Sequence, residues 1–295
     1  LSLLNLPFSW SQETTNIELE ADDNPRNSLL WEVSGNGLDQ PSYVFGTIHI
    51  IGEDDYFFTD KMQAAFDSSE LVIFEIKVDD MMNPMSLMSM MGKIMMNDGT
   101  SLSDLLTEEE YAMVNEHFKK KGLPLAMLER MKPMFLSAFA SGDMSPTGSG
   151  MGDMVSYELK LTKQAEKSKK PIEGLETADF QISLFDSIPY DAQAKMLVDA
   201  IQADDQGEDQ MQQMIDLYKS QNIEAMQSMA IEDESGLGDY EALLLTQRNE
   251  NWIPKMEKIM AEQVTFFAVG AGHLGGEKGV IKLLEQQGYV LTPIK

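Results

Sequence analysis

The chain has 295 residues, of which 49 are acidic and 22 basic, and its formal net charge is −27. A surface this acidic repels phosphate backbones and anionic lipid headgroups, so nucleic acid is excluded as an expected partner. The absence of cysteine excludes disulfides, thiolate nucleophiles and zinc–thiolate sites.

The N-terminal residues predict a leader that is not part of the folded domain. Leu1–Trp10 is apolar and uncharged, and Ser9 and Ser11 are small residues at the two positions that a signal peptidase reads. We therefore expect a secretory-signal remnant and a mobile leader over residues 1–27, and a single domain over residues 28–295. A partly buried N-terminal strand is the alternative. A signal favours a periplasmic or secreted location, although a cytoplasmic one stays open, and no other apolar run is long enough to span a bilayer.

Two strands open the predicted domain, and the second leads into the first histidine. Leu29–Val33 and Tyr43–Phe45 flank a glycine-containing turn and predict a hairpin. The second strand runs directly into the tetrapeptide Gly46–His49. A histidine just past the end of a buried strand lies where an α/β sheet presents its chemistry.

A glutamate inside an apolar strand is the next candidate for the site. After an amphipathic helix predicted at residues 59–69, Leu71–Ile76 is apolar except for Glu75. A buried carboxylate costs several kcal/mol unless it is paired, hydrogen-bonded or bound to a metal. A strand that follows a crossover helix is expected beside the first strand, which brings Glu75 near His49. A glutamate that reaches water at the edge of the sheet is the alternative.

Residues 79–230 predict a largely helical cover. Residues 79–98 are rich in methionine, whose flexible side chains suit either a lid or groove for a peptide or lipid, or the core of a helix. A capping box at Thr107 opens one helix, and Pro133 kinks or splits another. Asp153 is expected to cap a third.

Three polar stretches interrupt this cover. Residues 141–152 are rich in glycine and serine and predict a loop, with a hinge as its candidate role. Residues 204–209 and 232–234 are acidic runs without the D-x-D-x-D-G spacing of a calcium loop. Solvated surface is therefore the preferred interpretation of both runs.

Further polar residues end two predicted elements near the sheet. Pro171–Thr177 predicts a strand running into a helix, and it places Glu173 and Glu176 close to a strand end. A later predicted helix ends in Arg248 and Asn249. The guanidinium is a planar fork for a carboxylate, and the amide is both a donor and an acceptor. In so acidic a chain, an arginine is also an ordinary salt-bridge partner.

The second histidine motif lies near the end of the sequence. Val264–Val269 predicts a buried strand, followed by Gly270, Gly272 and His273 and then by a helix and a closing strand. With Gly275 these glycines fit the dinucleotide pattern G-x-G-x-x-G. A nucleotide fold needs further strands and an acidic residue for the ribose, which the closing strand lacks. We therefore interpret the glycines as clearing space beside His273.

The two histidine motifs repeat each other. The first reads YVFGTIH and the second FFAVGAGH, each an apolar strand followed by Gly-x-x-His. The chain has three histidines, and the remaining one, His117, is interpreted as a surface or interface residue. The repeat predicts two related halves whose strand ends bring His49 and His273 together.

In this order and spacing, the motifs resemble the TraB/PrgY/GumN family, which includes the Tiki proteases. The resemblance covers residues 29–295 and rests on Trp31-Glu32-Val33, Gly46–His49, Glu75, Gly174–Thr177, Arg248-Asn249 before Trp252, and Gly270–His273. It implies a metal-dependent peptidase, with manganese or cobalt, whose functional residues are His49, His273, Glu75 and Arg248. Family members often carry an acidic residue two positions after the strand glutamate. This chain has Lys77 there, which puts a site with two carboxylates on that strand in doubt.

We expect an α/β fold with a mixed central sheet built from two similar halves, flanked by helices, and with the helical cover inserted between the halves. The expected function is metal-assisted hydrolysis of a peptide or related amide. His49, His273 and Glu75 would hold a manganese, cobalt or zinc ion, with Glu75 as ligand or base. Arg248 would stabilise the oxyanion or hold a substrate carboxylate. The supporting residues are Gly46, Gly270, Gly272, Glu176 and Asn249.

Two alternative functions stay open. In a metal-free, esterase-like hydrolase, one histidine is the general base and Glu75 orients it. In a non-catalytic envelope protein, the methionine-rich segment captures a peptide or a cofactor. A peptide or another small molecule is the expected partner in each case.

Overall fold

The computed structural model describes residues 24–77, 84–97, 99–140, 154–203, 207–231 and 238–295. The strands are β1 (Leu30–Gly35), β2 (Ser42–Thr47), β3 (Ile51–Gly52), β4 (Leu71–Ile76), β5 (Met154–Val155), β6 (Ile172–Glu176), β7 (Thr265–Gly270) and β8 (Tyr289–Ile294). The main sheet has the strand order β6-β4-β7-β2-β1-β8, and β3 pairs with β5 in a separate ribbon.

Helices surround the sheet and form the inserted region. They are α1 (Asp60–Ser68), α2 (Pro84–Lys93), α3 (Leu102–Leu105), α4 (Glu108–Lys120), α5 (Leu125–Leu128), α6 (Pro133–Ala140), α7 (Tyr157–Ser168), α8 (Ala178–Leu184), α9 (Tyr190–Ala203), α10 (Gly207–Lys219), α11 (Ile223–Ile231), α12 (Gln247–Met260) and α13 (Val280–Gln286). A π-helical turn, Ala242–Thr246, precedes α12, and a 3₁₀ turn, Ala271–His273, follows β7. Within the described ranges, no helix has the length and apolar character needed to cross a bilayer.

The sheet is mixed, as predicted. β4 pairs in parallel with β6 and β7, and β7 pairs in parallel with β2. β1 is antiparallel to both of its neighbours, β2 and β8. Because β2 and β7 are adjacent, with Thr47 opposite Gly270, the two histidine-bearing strands end side by side.

Each histidine-bearing strand is followed by a helix and by a strand of the same direction. β2 leads through α1 to β4, and β7 leads through α13 to β8. The prediction that β4 lies beside β2 was wrong, because β7 is inserted between them. The carboxyl end of β4 still lies at the same edge as that of β2, since both strands are parallel to β7.

The centre of the sheet is buried on both faces. Every residue of β4 and β7 is buried, as expected of parallel strands that helices cover on each side. Thr59 caps α1, whose buried residues Met62, Ala65 and Phe66 join the core of the sheet. The helix lies where the amphipathic pattern predicted one.

The inserted helices have two smaller cores of their own. The predicted capping box at Thr107 and the split at Pro133 are confirmed, since α4 begins after Thr107 and α6 begins at Pro133. The prediction that Asp153 caps the next helix was wrong. Ser156 caps α7 by accepting a hydrogen bond from the Leu159 amide.

The methionine-rich segment has both exposed and buried members. Met88 and Met91 in α2 are 79% and 56% exposed, whereas Met96 is 2% exposed. Both interpretations of the segment therefore stand. Several predicted features lie outside the described residues, namely residues 78–83 and 98 around this segment, the loop at 141–152, and the acidic residues 204–206 and 232–234.

The described chain begins inside the predicted leader. Arg26 Nη2 lies 2.8 Å from Glu285 Oε1, and its guanidinium lies over the Trp31 ring. Asn27 is buried. These contacts pack the end of the predicted leader onto the domain, and residues 1–23 lie outside the described residues.

Candidate active site

Strand ends and one helix bring the predicted residues to one edge of the sheet. Glu75 is the last residue but one of β4, and Glu176 is the last residue of β6. His49 comes shortly after the end of β2, and His273 comes shortly after the end of β7. Arg248 enters from the first turn of α12. His273 Nε2 lies 3.7 Å from Glu75 Oε1, and Thr47, two residues before His49, is paired with Gly270. The two histidine motifs and the strand glutamate therefore share one site, at the edge where parallel sheets place their ligands.

Arg248 and Asn249 lie inside a continuous helical run, because the π-helical turn Ala242–Thr246 leads directly into α12. The buried side of α12 continues from these residues through Trp252 and Met256 at helical spacing, and Pro254 lies within the helix. The prediction of a helix that ends at Asn249 was therefore wrong. The consequence for the site is that a continuous helix positions both side chains.

Glu75 is a buried, ionised carboxylate. Its Oε1 accepts a hydrogen bond from the Gly270 amide at 2.8 Å, and its Oε2 accepts from Arg248 Nη2 at 2.6 Å and from Gln181 Nε2 at 3.2 Å. Burial by itself raises the pKa of a carboxyl group, but the Arg248 guanidinium and the Gly270 amide hold the pKa of Glu75 well below its usual range. Glu75 is thus a paired residue and not one that reaches water at the edge of the sheet.

All five N–H groups of Arg248 are used inside the protein. Nε and Nη2 donate to Glu176 Oε2 at 3.0 and 2.9 Å, and Nη2 also donates to Glu75. Nη1 donates to the Leu244 carbonyl at 3.1 Å and to His273 Nε2 at 3.2 Å. A guanidinium has five donors, and this residue is 0% exposed. The predicted contact with an oxyanion or a substrate carboxylate therefore has no N–H available in this arrangement.

The glutamate that faces the site from β6 is Glu176, and Glu173 is exposed. Gln181 in α8 donates from Nε2 to Glu176 Oε2 at 2.9 Å as well as to Glu75. Sequence analysis missed Gln181. The available signal was the cap at Thr177, which begins α8 directly after the strand end.

His273 is neutral, and its tautomer is fixed. Asn249 Nδ2 donates to the Lys278 carbonyl at 2.9 Å, and Asn249 Oδ1 lies 2.6 Å from His273 Nδ1. Because an amide oxygen only accepts, Nδ1 carries the proton, and Nε2 accepts from Arg248 at 3.2 Å. The ring packs against Trp252 with centroids 4.4 Å apart. Burial lowers the pKa of His273 to about 3, so the ring is uncharged near neutral pH.

His49 pairs with Glu158, a carboxylate that the sequence analysis missed. His49 Nδ1 lies 3.1 Å from Glu158 Oε1. Thr47 Oγ1 and Ser156 Oγ donate to the same carboxylate at 2.7 and 2.9 Å. Burial alone raises the pKa of Glu158, but His49 and the Thr47 hydroxyl lower it further than burial raises it. An ionised carboxylate only accepts, so His49 Nδ1 donates, and the lone pair of the neutral ring is on Nε2.

The two-stranded ribbon of β3 and β5 holds the segments that carry His49 and Glu158 next to each other. Ile51, just after His49, pairs with Val155, just before the start of α7 and Glu158. An acidic residue after a serine cap was the only local signal for Glu158, and nothing in that signal shows which residue it faces. The side chains of His49 and Glu158 are 14% and 17% exposed. This pair therefore reaches solvent, in contrast to the cluster around Arg248.

Gly46 allows the two histidine motifs to approach each other. A Cβ at this position would lie 2.8 Å from Leu274 Cδ1 and 3.1 Å from Ala271 Cα. The Gly46 carbonyl also accepts a hydrogen bond from the Tyr218 hydroxyl at 3.0 Å. Of the two glycines in the second motif, Gly270 supplies the amide to Glu75, and Gly272 lies in the 3₁₀ turn.

We predict that Gly46→Ala lowers the free energy of unfolding by about 1–3 kcal/mol, because the backbone of Ala271 has to shift for the added methyl. Gly92→Ala in α2 is the matched control. Nothing lies within 4 Å of a Cβ at Gly92, so alanine there is expected to be neutral or stabilising. Urea unfolding followed by circular dichroism measures both variants, and equal stabilities would contradict the close approach.

Comparison with known proteins agrees with the motifs of this site. Residues 29–293 match the TraB/PrgY/gumN family. The chain belongs to this family. It is 25% identical to Metalloprotease TIKI1 of Homo sapiens, over 94% of this chain and 64% of that protein. It is 23% identical to Metalloprotease TIKI1 of Xenopus tropicalis, over 98% and 66%, and 22% identical to Metalloprotease TIKI2 of Danio rerio, over 89% and 60%.

This TraB/PrgY/gumN family chain spans less than two thirds of the length of several of these relatives, for example 64% of the human protein. The name metalloprotease belongs to those proteins. No solved structure matches the chain. The family is thus shown by sequence.

The metal site predicted for this family member can be tested against the donors present. A ligand set of His49, His273 and Glu75 needs lone pairs directed at one point. His273 Nε2 and Glu75 Oε2 instead accept hydrogen bonds from Arg248. In the described ranges, no group of three or more histidine or acidic side chains is arranged to hold a metal ion. These residues, as arranged, do not fit a shared metal ion.

Proposed function

We propose that this family member hydrolyses peptide or related amide bonds, with His49 as the general base. The observation that carries the proposal is that the His49–Glu158 pair is partly exposed to solvent. The neighbouring polar groups of Arg248 and His273 are buried and hydrogen-bonded within the protein. His49 is 14% exposed and hydrogen-bonded to a carboxylate. Arg248 and His273 are 0% exposed, and each of their polar groups has an internal partner.

The proposed step begins with a water molecule at His49 Nε2. The ring takes a proton from this water as the oxygen attacks the carbonyl carbon of the substrate. Glu158 keeps Nδ1 protonated, orients the ring and stabilises the positive charge that the ring acquires. The new C–O bond forms, the C–N bond breaks, and His49 passes the proton to the leaving nitrogen.

The buried cluster is proposed to position this base. Glu75 and Glu176 carry two negative charges against the single positive charge of Arg248, and they tie together the ends of β4, β6 and β7. His49 follows β2, the strand beside β7. A fixed sheet edge of this kind holds a general base in place relative to its substrate.

The names of the relatives favour a peptide as the substrate class, since these relatives are called metalloproteases. The proposal takes that substrate class for this chain. It takes no metal step from the names, because the donors described above do not fit a shared ion.

The test is digestion of an unbiased peptide library, with new amino termini identified by mass spectrometry. We expect new termini that persist in the presence of EDTA and are absent after heat denaturation. Cleavage that EDTA abolishes and manganese, cobalt or zinc restores would contradict the metal-free step. Retention of intact peptides without any new termini would contradict hydrolysis and favour the binding protein, for which the exposed Met88 and Met91 offer an apolar surface.

A further inference from the structure

We infer that the second G-x-x-H motif of this chain holds the guanidinium of Arg248 in the place where a metal ion would have to bind. The inference concerns Gly270–His273 and does not depend on whether His49 is a catalytic base. It assigns to His273 the role of a neutral hydrogen-bond acceptor. It assigns to Arg248 the positive charge that the two neighbouring glutamates require.

The lone pair of His273 points at the Arg248 guanidinium. Because Nδ1 donates to Asn249, the lone pair is on Nε2, and Arg248 Nη1 lies 3.2 Å from that atom. A metal ligated by an imidazole lies about 2.0–2.1 Å from the nitrogen along the same lone pair. The N–H of Arg248 occupies that direction, so a metal and this hydrogen bond exclude each other.

The carboxylates of Glu75 and Glu176 already accept hydrogen bonds from groups of the protein. Glu75 Oε2 and Glu176 Oε2 both accept from Arg248 Nη2, and Gln181 Nε2 donates to the same two oxygens. Glu75 Oε1 accepts from the Gly270 amide. The cation that neutralises these carboxylates is therefore already part of the chain.

Further contacts hold the Arg248 side chain in this position. Its Nη1 is also bonded to the Leu244 carbonyl, one helical turn earlier, and its Cζ lies 5.0 Å from the centre of the Trp252 ring. The side chain is 0% exposed. Moving it aside for a metal would leave a buried guanidinium without acceptors for its N–H groups, an arrangement that proteins avoid.

One feature of the motif would suit a metal as well. A metal-binding histidine commonly donates its second N–H to a carboxylate or carbonyl oxygen, as His273 Nδ1 does to Asn249. Orientation of the ring is thus not decisive by itself. The partner of Nε2 decides, and in this chain that partner is Arg248.

The test is the ring ¹⁵N spectrum of the histidines in the full chain, recorded as purified, after EDTA and after addition of Zn²⁺. The chain has three histidines, so His49→Gln and His117→Gln assign all the signals by elimination without touching His273. We expect His273 to remain the Nδ1–H tautomer, with the same Nε2 shift in all three samples. A Zn²⁺-dependent shift confined to His49 supports the inference equally, since it places the ion elsewhere.

The inference is overturned if the His273 Nε2 signal moves to a metal-bound position with Zn²⁺, or moves away from one with EDTA. This outcome is distinct from failure of the proposed hydrolysis. A protein without hydrolytic activity can still show an unperturbed His273, and an active one can still show a metal at that ring.

Discussion

His49→Gln is expected to lower kcat for a cleaved library peptide by about 10²- to 10⁴-fold, the range that a general base contributes. Glutamine retains polarity and approximate size but cannot accept and return the proton of the attacking water. His49 is partly exposed, so the fold should tolerate the change. The measurement is steady-state cleavage at saturating peptide, alongside thermal unfolding.

His117→Gln is the matched control. His117 lies in α4, where its Nε2 contacts the Ala140 carbonyl at 3.2 Å, far along the chain from either G-x-x-H motif. We expect its kcat to equal that of the wild type. If His49→Gln keeps more than about a tenth of wild-type kcat, a general base at this position is excluded on the same magnitude argument.

Glu158→Gln refines the same prediction. The amide keeps the size of the side chain but removes the charge that orients His49, so kcat should fall less than in His49→Gln. In the double variant the two losses should not add, because residues that act as one unit lose their effect together. Additive losses would mean that Glu158 acts independently of His49.

Arg248→Met is expected to lower the free energy of unfolding by about 3–5 kcal/mol at neutral pH, the usual cost of removing one partner of a buried ion pair. Methionine fills a similar volume but leaves Glu75 and Glu176 without a cation, and their side chains are 7% and 2% exposed. Urea unfolding followed by circular dichroism measures the loss.

Arg26→Met provides the matched control for this substitution. Arg26 also pairs with a glutamate, at 2.8 Å, but its side chain is 51% exposed. Exposed ion pairs contribute about 1 kcal/mol or less, so this variant should remain close to the wild type. Equal losses in the two variants would contradict the central role of Arg248 in the buried cluster.

The pH dependence of the Arg248→Met effect has a definite sign. In the wild type the pKa of folded Glu75 is well below the ordinary value of 4.5, so its contribution is present above that value and is lost as the pH falls towards the folded pKa. Without Arg248, the main influence that opposes burial is lost, so the pKa of Glu75 rises and stability is lost as the pH rises. The difference in the free energy of unfolding between the wild type and Arg248→Met should therefore widen from pH 4 to pH 7. A difference that stays constant over this range would contradict this account.

Local sequence patterns were sufficient for much of the fold. The strands at Leu71–Ile76 and Tyr289–Ile294 have the bounds that were predicted, because turn residues bound each of these largely apolar runs. The cap at Thr107 was likewise recognisable, since capping depends on residues three positions apart. The strand order was not, because it depends on the insertion of β7 between β4 and β2, which both come much earlier in the chain.

For the candidate site too, the sequence predicted some residues and missed others. Its residue types were evident from sequence: a repeated G-x-x-H, a glutamate in an apolar strand, and Arg248 with Asn249. Glu158 and Gln181 were missed because each lies at the start of an ordinary helix, and only packing turns these helices towards His49 and Glu75. No local periodicity encodes that contact.

The sequence by itself predicted that His49, His273 and Glu75 would meet at the carboxyl ends of strands in a mixed sheet, whereas Arg248 was assigned to the site only through the family resemblance. That conclusion follows from strand direction, which apolar patterns and chain order constrain. Only the tertiary structure decided what each group does there. The Nε2 lone pair of His273 points at Arg248 and His49 pairs with Glu158, because hydrogen-bond partners are set by the packing of segments that are distant in the chain.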